Sequence, residues 1–326
     1  MLKSRIVSTG SYLPERVLTN SDLEKMIDTS NEWIIERTGI EERRIADDNQ
    51  AASDLAYEAS KEALKTAGLK ADDLDLIIVA TATGDMPFPS TACILQYKLG
   101  AKNAVGFDIS AACAGFLYGL HVADSFVKSG LHKRVLIVGT EVLSKFTDWN
   151  DRNTCVLFGD GAGIVIIERT EEDRGVISTH INSDGDMWEL LYIPGGGSKH
   201  PTSQESIQNR LHYIKMKGNE VFKHAVRTLG DLAMKTLNEN NLDPSQLALL
   251  IPHQANMRII KATADRIGIP MDRVIVNLSN YGNTSAASIP IALDEAVKSG
   301  RIKDGDYILM EAFGGGFTWA SALIKW

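Results

Sequence analysis

The chain has 326 residues, 44% hydrophobic and 23% charged, with 34 basic and 42 acidic side chains for a net charge of −8. That is a globular composition long enough for about two domains, so disorder is excluded and no disulfide or metal is needed to hold a core. A sequence pI near 5.4 argues against nucleic acid as a partner. Three cysteines without a CxxC pair or zinc spacing fit a reducing cytoplasm, and the absence of an apolar signal core or any membrane-length apolar run argues against secretion and membrane insertion.

In chain order, apolar residues at helical spacing predict a helix over 53–67, stopped by Gly68, and then a strand over 75–80. A strand over 105–109 leads into a helix from Cys113 to Lys128, with Phe116, Leu120, Ala123 and Val127 on one face. Strands follow over 135–138 and 164–167, a surface loop over 195–206, and a helix over 222–239. The last third reads as a strand over 248–251, a helix over 257–267, a strand over 273–278, a helix running to Val297 and a strand over 307–310. Alternating strands and helices predict an α/β fold, and the nearly all-apolar strands predict sheets buried on both faces.

The chain also resembles itself. Phe126-Val127-Lys128-Ser129-Gly130 before one strand recurs as Ala296-Val297-Lys298-Ser299-Gly300 before another, an offset of 170, and residues 65–78 resemble 238–251 at an offset of 173. Two repeats in the same order point to a duplicated helix-strand plan, divided as residues 1–172 and 173–326. Offset 170 lays Cys113 onto Asn283, so the two would start equivalent helices that meet at a pseudo-twofold axis.

Four segments carry the residue types for chemistry. Cys113, at a strand-to-helix turn among Ala111, Ala112, Ala114 and Gly115, has room for a substrate, and the helix dipole there would lower its pKa as a nucleophile requires. A buried structural cysteine is the alternative, and the expected role of Cys93 and Cys155. His253 follows a strand end, where α/β folds bind ligands, or is a structural histidine. Asn283 opens a helix as an N-cap or, by the repeat, faces Cys113. Residues 311–319 place Gly314, Gly315 and Gly316 between two β-like runs, suited to an oxyanion hole or to a tight hairpin. The Gly159-Asp160-Gly161-Ala162-Gly163 cluster lacks the third glycine of a dinucleotide fingerprint and a Walker lysine, which removes NAD and ATP.

Cys113 in DISAACAGF, His253 in IPHQAN, Asn283 in YGNTSAAS and the Phe313–Trp319 run, each in its own motif and in this order, resemble the β-ketoacyl-[acyl-carrier-protein] synthase III family along essentially the whole chain. The resemblance implies a thiolase-like fold of two duplicated halves in five αβαβα layers, a homodimer in the cytoplasm, and initiation of fatty acid synthesis. Cys113 would take the acyl group of a short acyl-CoA. Malonyl-acyl-carrier protein would lose CO2, and its enolate, held by His253 and Asn283, would attack the acyl-enzyme. The N–H groups of Cys113 and Gly315 would form the oxyanion hole. Trp33, Arg37, Arg152, Gly218 and Asn256 would line the CoA and pantetheine tunnel, with adenine between Trp33 and Arg152 and phosphate on Arg37. Phe88 would reach into the partner's acyl pocket, and Arg258 would dock the carrier protein, with Lys261 and Arg266 completing a basic patch. Acyl-CoA and carrier protein are substrates, and no cofactor or metal is implied. Residues 195–206 form a longer stretch than in many members of the family, and Ala320 stands where they often carry glycine. A thiolase would need a second cysteine in the C-terminal half, and an elongating synthase a histidine where Asn283 stands. A polyketide starter enzyme, a Cys-His-Asn hydrolase and a silent acyl-binding scaffold remain as alternatives.

Overall fold

A computed structural model describes residues 3–326. The elements that position the site are strands β1 (Lys3–Tyr12), β2 (Leu76–Ala80), β3 (Val105–Ile109), β4 (Arg134–Glu141), β5 (Gly161–Thr170), β6 (Gly175–Ser183), β7 (Leu247–Pro252), β8 (Tyr307–Gly314) and β9 (Thr318–Lys325). The helices are α1 (Asn31–Thr38), α2 (Ala52–Ala67), α3 (Thr91–Leu99), α4 (Gly115–Ser129), α5 (Gly218–Glu239), α6 (Met257–Ile267) and α7 (Ser288–Lys298).

One sheet runs β1-β5-β4-β2-β3 and the other β6-β9-β8-β7, with matching directions: two antiparallel pairings, then parallel ones. The apolar strands explain the stacking. On β2, Leu76 and Ile78 face a core shared with Phe116, Leu120 and Val127 of α4 and Ile289 and Leu293 of α7, whereas Ile77 and Val79 face α2 and α3. Across the second sheet, Ile308 and Met310 of β8 face that same central core, while Leu309 faces Ala233 of α5 and Ile260 of α6. The order α2/α3, sheet, α4/α7, sheet, α5/α6 makes five layers, the thiolase-like fold, and a strand buried on both faces has no use for alternation.

Two expectations are corrected here. Residues 273–278 are no strand: they make a single parallel bridge, Leu250 to Val274, where the second sheet would need its fifth strand. The Asn277 N–H donates instead to Gln254 Oε1 at 3.0 Å, and a short helix begins at Leu278. The repeat also changes register within its helix. The turns before α4 and α7 start at Ala112 and Ser285, an offset of 173, so Ala286 rather than Asn283 is the counterpart of Cys113. α7 is shorter than α4, and the match returns to 170 only past the helix ends, at the left-handed glycines Gly130 and Gly300. The surface loop at 195–206 is interrupted by a short helix, Gln204–Gln208, capped by Ser203.

Candidate active site

Cys113, His253 and Asn283 come from three elements and line one cavity of about 330 Å³. Cys113 lies in the 3-10 turn Ala112–Ala114 ahead of α4, His253 directly follows β7, and Asn283 precedes the turn Ser285–Ala287 ahead of α7. All three are buried, at 7%, 4% and 7% exposure, at the inner end of the cavity. Apolar walls from Val221, Phe222, Ala225, Leu229, Ile259 and Phe313 lead outward to a rim at Trp33, Arg37, Gly218, Asn256 and Arg258.

The turns carry strain and close contacts that fix this geometry. Ala112 and Ser285 both hold left-handed φ, at 45° and 48°, a conformation costing non-glycine residues about 1–2 kcal/mol. Asn283 Oδ1 accepts from the Ser285 N–H at 2.8 Å, while the Asn283 backbone is bonded on both sides, donating to Leu157 O and accepting from Gly159 N. One amide oxygen is thus spent holding the turn, which leaves the Nδ2 hydrogens to the cavity. Gly314, also on the cavity, has no alternative: a Cβ there would stand 2.6 Å from Cys113 N. The next residue, Gly315, is not a lining residue, and a Cβ there would stand 2.8 Å from Leu191 O. Gly314 ends β8, paired with Thr318, and Gly315 and Gly316 make the hairpin turn to β9 with Phe317.

His253 Nδ1 lies 2.6 Å from Ser288 Oγ, and Ser288 Oγ also accepts from the Gln254 N–H at 3.4 Å. When the Ser288 hydroxyl donates to Nδ1, the imidazole carries its hydrogen on Nε2, a donor toward the cavity. Burial lowers the His253 pKa to about 3, so the imidazole is neutral throughout the physiological range. An unfolded histidine takes up a proton near 6.5 whereas this one does not, so the contribution to stability is complete above pH 6.5 and is lost as pH falls toward 3. The span corresponds to something of order 5 kcal/mol. Urea midpoints measured from pH 7.5 to 4.5 are expected to fall more steeply for the wild type than for His253→Gln; parallel curves would contradict a neutral buried imidazole.

For Cys113 the structure reverses the expected shift. Burial pushes the thiol up to about 12, opposed by the Ser285 hydroxyl and reinforced by the Glu141 carboxyl. A helix terminus supplies about 0.3–2 kcal/mol, less than the cost of burying a thiolate with no cation among the groups that set its ionisation. Glu141, at the end of β4, is fully buried and accepts from Thr83 Oγ1 at 2.6 Å, from Thr81 Oγ1 at 3.3 Å and from the Ala82 N–H at 3.1 Å. Sequence reading missed Glu141 and Ser288; the available signal for Glu141 was an acidic residue ending an otherwise apolar strand.

At the rim, Arg37 and Arg152 flank the Trp33 ring, their guanidinium carbons 5.7 and 4.7 Å from its centroid. Arg152 thus lies directly on Trp33, donates to Asp28 O, and is not a cavity-lining residue, so a ring enters between the two only if Arg152 moves away. Asn256 caps α6 at Arg258 N and donates to Arg37 O at 2.9 Å, tying α6 to α1. Arg258 is exposed and stacks on Phe222, 4.9 Å from the centroid. Arg266 pairs with Asp231 and is withdrawn from the expected basic patch, leaving Arg258 and Lys261 exposed. Phe88 is 84% exposed, outside the cavity of its own chain. Cys155 is buried as expected; Cys93 instead lies exposed on α3, with Sγ 3.8 Å from Gly106 O. Asp160 of the rejected glycine cluster is buried and bonded to Ala46 N, Ser144 N and Ser144 Oγ, a structural role.

A five-layered fold with a cysteine, a histidine and an asparagine converging at the base of one cavity defines a thiolase-fold condensing enzyme. Residues 107–185 match the family described as 3-oxoacyl-[acyl-carrier-protein (ACP)] synthase III, and residues 237–326 match its C-terminal part. The chain is 57% identical to the β-ketoacyl-[acyl-carrier-protein] synthase III of Caldanaerobacter subterraneus subsp. tengcongensis, over 98% of this chain and 97% of that protein. It is 55% identical to the protein of the same name from Xanthomonas campestris pv. campestris, over 99% and 98% of the two chains. Its fold superimposes on the crystal structure of 3-oxoacyl-[acyl-carrier-protein] synthase III from Aquifex aeolicus with a TM-score of 0.93 at 50% identity, covering 99% and 100%. The chain belongs to the β-ketoacyl-[acyl-carrier-protein] synthase III family, the acyltransferases that initiate fatty acid synthesis by condensation.

Proposed function

We propose that Cys113, His253 and Asn283 carry out this condensation, a reading supported above all by their convergence in one buried cavity. The Cys113 sulfur attacks the thioester of a short acyl-CoA, and the N–H groups of Cys113 and Gly315 receive the oxyanion. CoA leaves and malonyl-acyl-carrier protein takes its place. Loss of CO2 puts negative charge on the thioester oxygen, where His253 Nε2–H and Asn283 Nδ2–H donate to it. The enolate carbon then attacks the acyl-enzyme and releases a 3-oxoacyl-acyl-carrier protein. A neutral imidazole suits this task, since a donor is needed at an oxygen and no proton need leave the ring. No cofactor enters this scheme. Single-turnover mass spectrometry with acetyl-CoA followed by malonyl-acyl-carrier protein tests it: an acetyl adduct on Cys113 forms and is discharged into product.

The exposed cations at the rim support an anionic substrate there. Arg37 is read as the phosphate partner of CoA, Trp33 and Arg152 as its adenine contacts, Gly218 and Asn256 as tunnel lining, and Arg258 as a docking residue for the acidic carrier protein. Arg37→Ala is expected to raise KM for acetyl-CoA roughly tenfold, about the worth of one charge-assisted hydrogen bond, with kcat nearly unchanged. A fall in kcat at constant KM in steady-state assays would contradict that role.

The division into residues 1–172 and 173–326 is supported by sheet membership, since β1–β5 build one sheet and β6–β9 the other. A homodimer is supported by β3, an open sheet edge, beside Tyr97 and Val105, exposed at 86% and 58%. In that dimer Phe88 closes the partner's acyl pocket. Competition among acetyl-, isobutyryl- and longer acyl-CoAs would measure starter preference, and Phe88→Ala should shift it toward longer chains. No helix among the described residues is long and apolar enough to cross a membrane, and three free cysteines support the cytoplasm.

A further inference from the structure

We infer that Thr318 is a positioning residue for the nucleophile: by holding the peptide group that enters Ala112, its hydroxyl fixes the turn on which Cys113 stands, a role that rests on Cys113 being the nucleophile. Thr318 opens β9 and does not line the cavity. Its hydroxyl donates to Ala111 O at 2.8 Å, across 207 residues of chain, with a longer contact of 3.1 Å to Gly315 O.

The carbonyl it reaches is the one that matters for the turn. Ala111 O lies in the peptide group shared with Ala112, and Ala112 holds a left-handed φ of 45° one residue before Cys113. A non-glycine residue persists in that conformation only where its surroundings over-determine it. The Ala114 N–H closes the 3-10 turn onto the same carbonyl at 3.1 Å, but that bond is internal to the turn and moves with it. The Thr318 bond instead ties the turn to the opposite sheet. The equivalent turn before α7 is held differently: Ser285, also left-handed, has its N–H on Asn283 Oδ1. One turn is pinned at its N–H by a near neighbour, the other at its carbonyl by a residue from the other half of the chain.

Thr318 is itself immobilised. It pairs with Gly314 of β8 on one side and with Ser183 of β6 on the other, and a Cβ at Gly316 would come within 3.0 Å of its methyl group. Gly314 of the same hairpin abuts the nucleophile, where a Cβ would stand 2.6 Å from Cys113 N and 2.9 Å from Cys113 Cβ. The hairpin therefore grips the turn at two points, the carbonyl before Ala112 and the backbone of Cys113. Further along, Tyr118 Oη donates to Asn182 O at 2.7 Å and His121 Nδ1 lies 2.7 Å from Thr179 Oγ1. Those contacts hold α4 on β6 without touching the turn. Without the Thr318 bond the Ala111–Ala112 peptide can rotate, and the sulfur drifts from the roughly 3–3.5 Å approach that attack on a thioester carbon requires.

The test is single-turnover acetylation of the full-length protein by acetyl-CoA, read by intact mass, beside decarboxylation of malonyl-acyl-carrier protein and urea unfolding. Thr318→Val, of equal size, and Thr318→Ala, which cannot crowd the turn, should each acetylate at least about tenfold more slowly at saturating acetyl-CoA. The acetyl-CoA concentration giving half the maximal rate should not change. Thr318→Ser keeps the hydroxyl and should stay within about threefold of the wild type. Decarboxylation, which falls to His253 and Asn283, should be retained in all three. Tyr118→Phe removes a bond from the same helix and should lower the urea midpoint about as much as Thr318→Val, yet acetylate at the wild-type rate. Wild-type acetylation by Thr318→Val, a serine variant no faster than valine, equal slowing in Tyr118→Phe, or a parallel loss of decarboxylation would each overturn the positioning role. A wild type that is never acetylated on Cys113 would instead overturn the reading beneath it.

Discussion

Cys113→Ser is expected to abolish condensation, with a loss of at least about 10³-fold in the transfer of acetyl from acetyl-CoA to malonyl-acyl-carrier protein. The substitution exchanges one atom, so the cavity, its apolar walls and the rim at Trp33 and Arg37 stay as they are. The hydroxyl that replaces the thiol is a far weaker acid, and the burial that already raises the thiol to about 12 would resist an alkoxide even more. Binding of acetyl-CoA should survive, as should decarboxylation of malonyl-acyl-carrier protein, because both proposed enolate donors remain. Calorimetry for binding and CO2 release for decarboxylation separate these effects. A serine variant that condenses at a tenth of the wild-type rate with no acetyl group on its side chain would show that the acyl group does not travel on this residue.

His253→Ala and Asn283→Ala are expected to fail at the other half of the reaction. Each should acetylate Cys113 but decarboxylate malonyl-acyl-carrier protein about 10²- to 10³-fold more slowly, the usual cost of about 2.7–4 kcal/mol for one missing oxyanion donor. Asn283 needs a second variant, because alanine also removes the acceptor that holds the Ser285 N–H and relaxes a strained turn. Asn283→Asp keeps that acceptor and replaces the donor by a negative charge aimed at the enolate, so it should decarboxylate no better than alanine while acetylating closer to wild type. Because the two donors serve one oxygen, the double alanine variant should lose less than the product of the single losses. Normal decarboxylation in either single alanine variant would remove that residue from the enolate site.

Much of this was legible in the sequence because the signals were local. Residues 75–80, 135–138 and 164–167 are apolar on both faces, and the fold gives each face a different helical layer. The helix over 257–267 matches α6 to the residue, since Asn256 caps one end and Gly268 closes the other. The motif around Cys113 announced a strand-to-helix turn that the structure contains. What escaped the sequence depends on distance or on a balance of energies. Glu141 meets Thr83 across 58 residues, and nothing near either one marks the pairing. The offset that set Asn283 opposite Cys113 was true just past the helix ends and off by three residues at their starts, one helix being shorter than the other. The thiol's pKa was misjudged because a helix terminus is visible in a sequence whereas the depth of burial is not. Residues 273–278 look like a strand, but a side chain, Gln254, takes the backbone donor that a neighbouring strand would have needed.

The most direct measurement is intact mass of the wild-type protein exposed first to acetyl-CoA and then to malonyl-acyl-carrier protein. A persistent adduct of one acetyl group, mapped to Cys113 and discharged only when the second substrate arrives with release of CO2, is the predicted result. Rapid hydrolysis of the adduct in water, or acetyl-CoA binding with no adduct at all, would contradict a condensing role for this cavity.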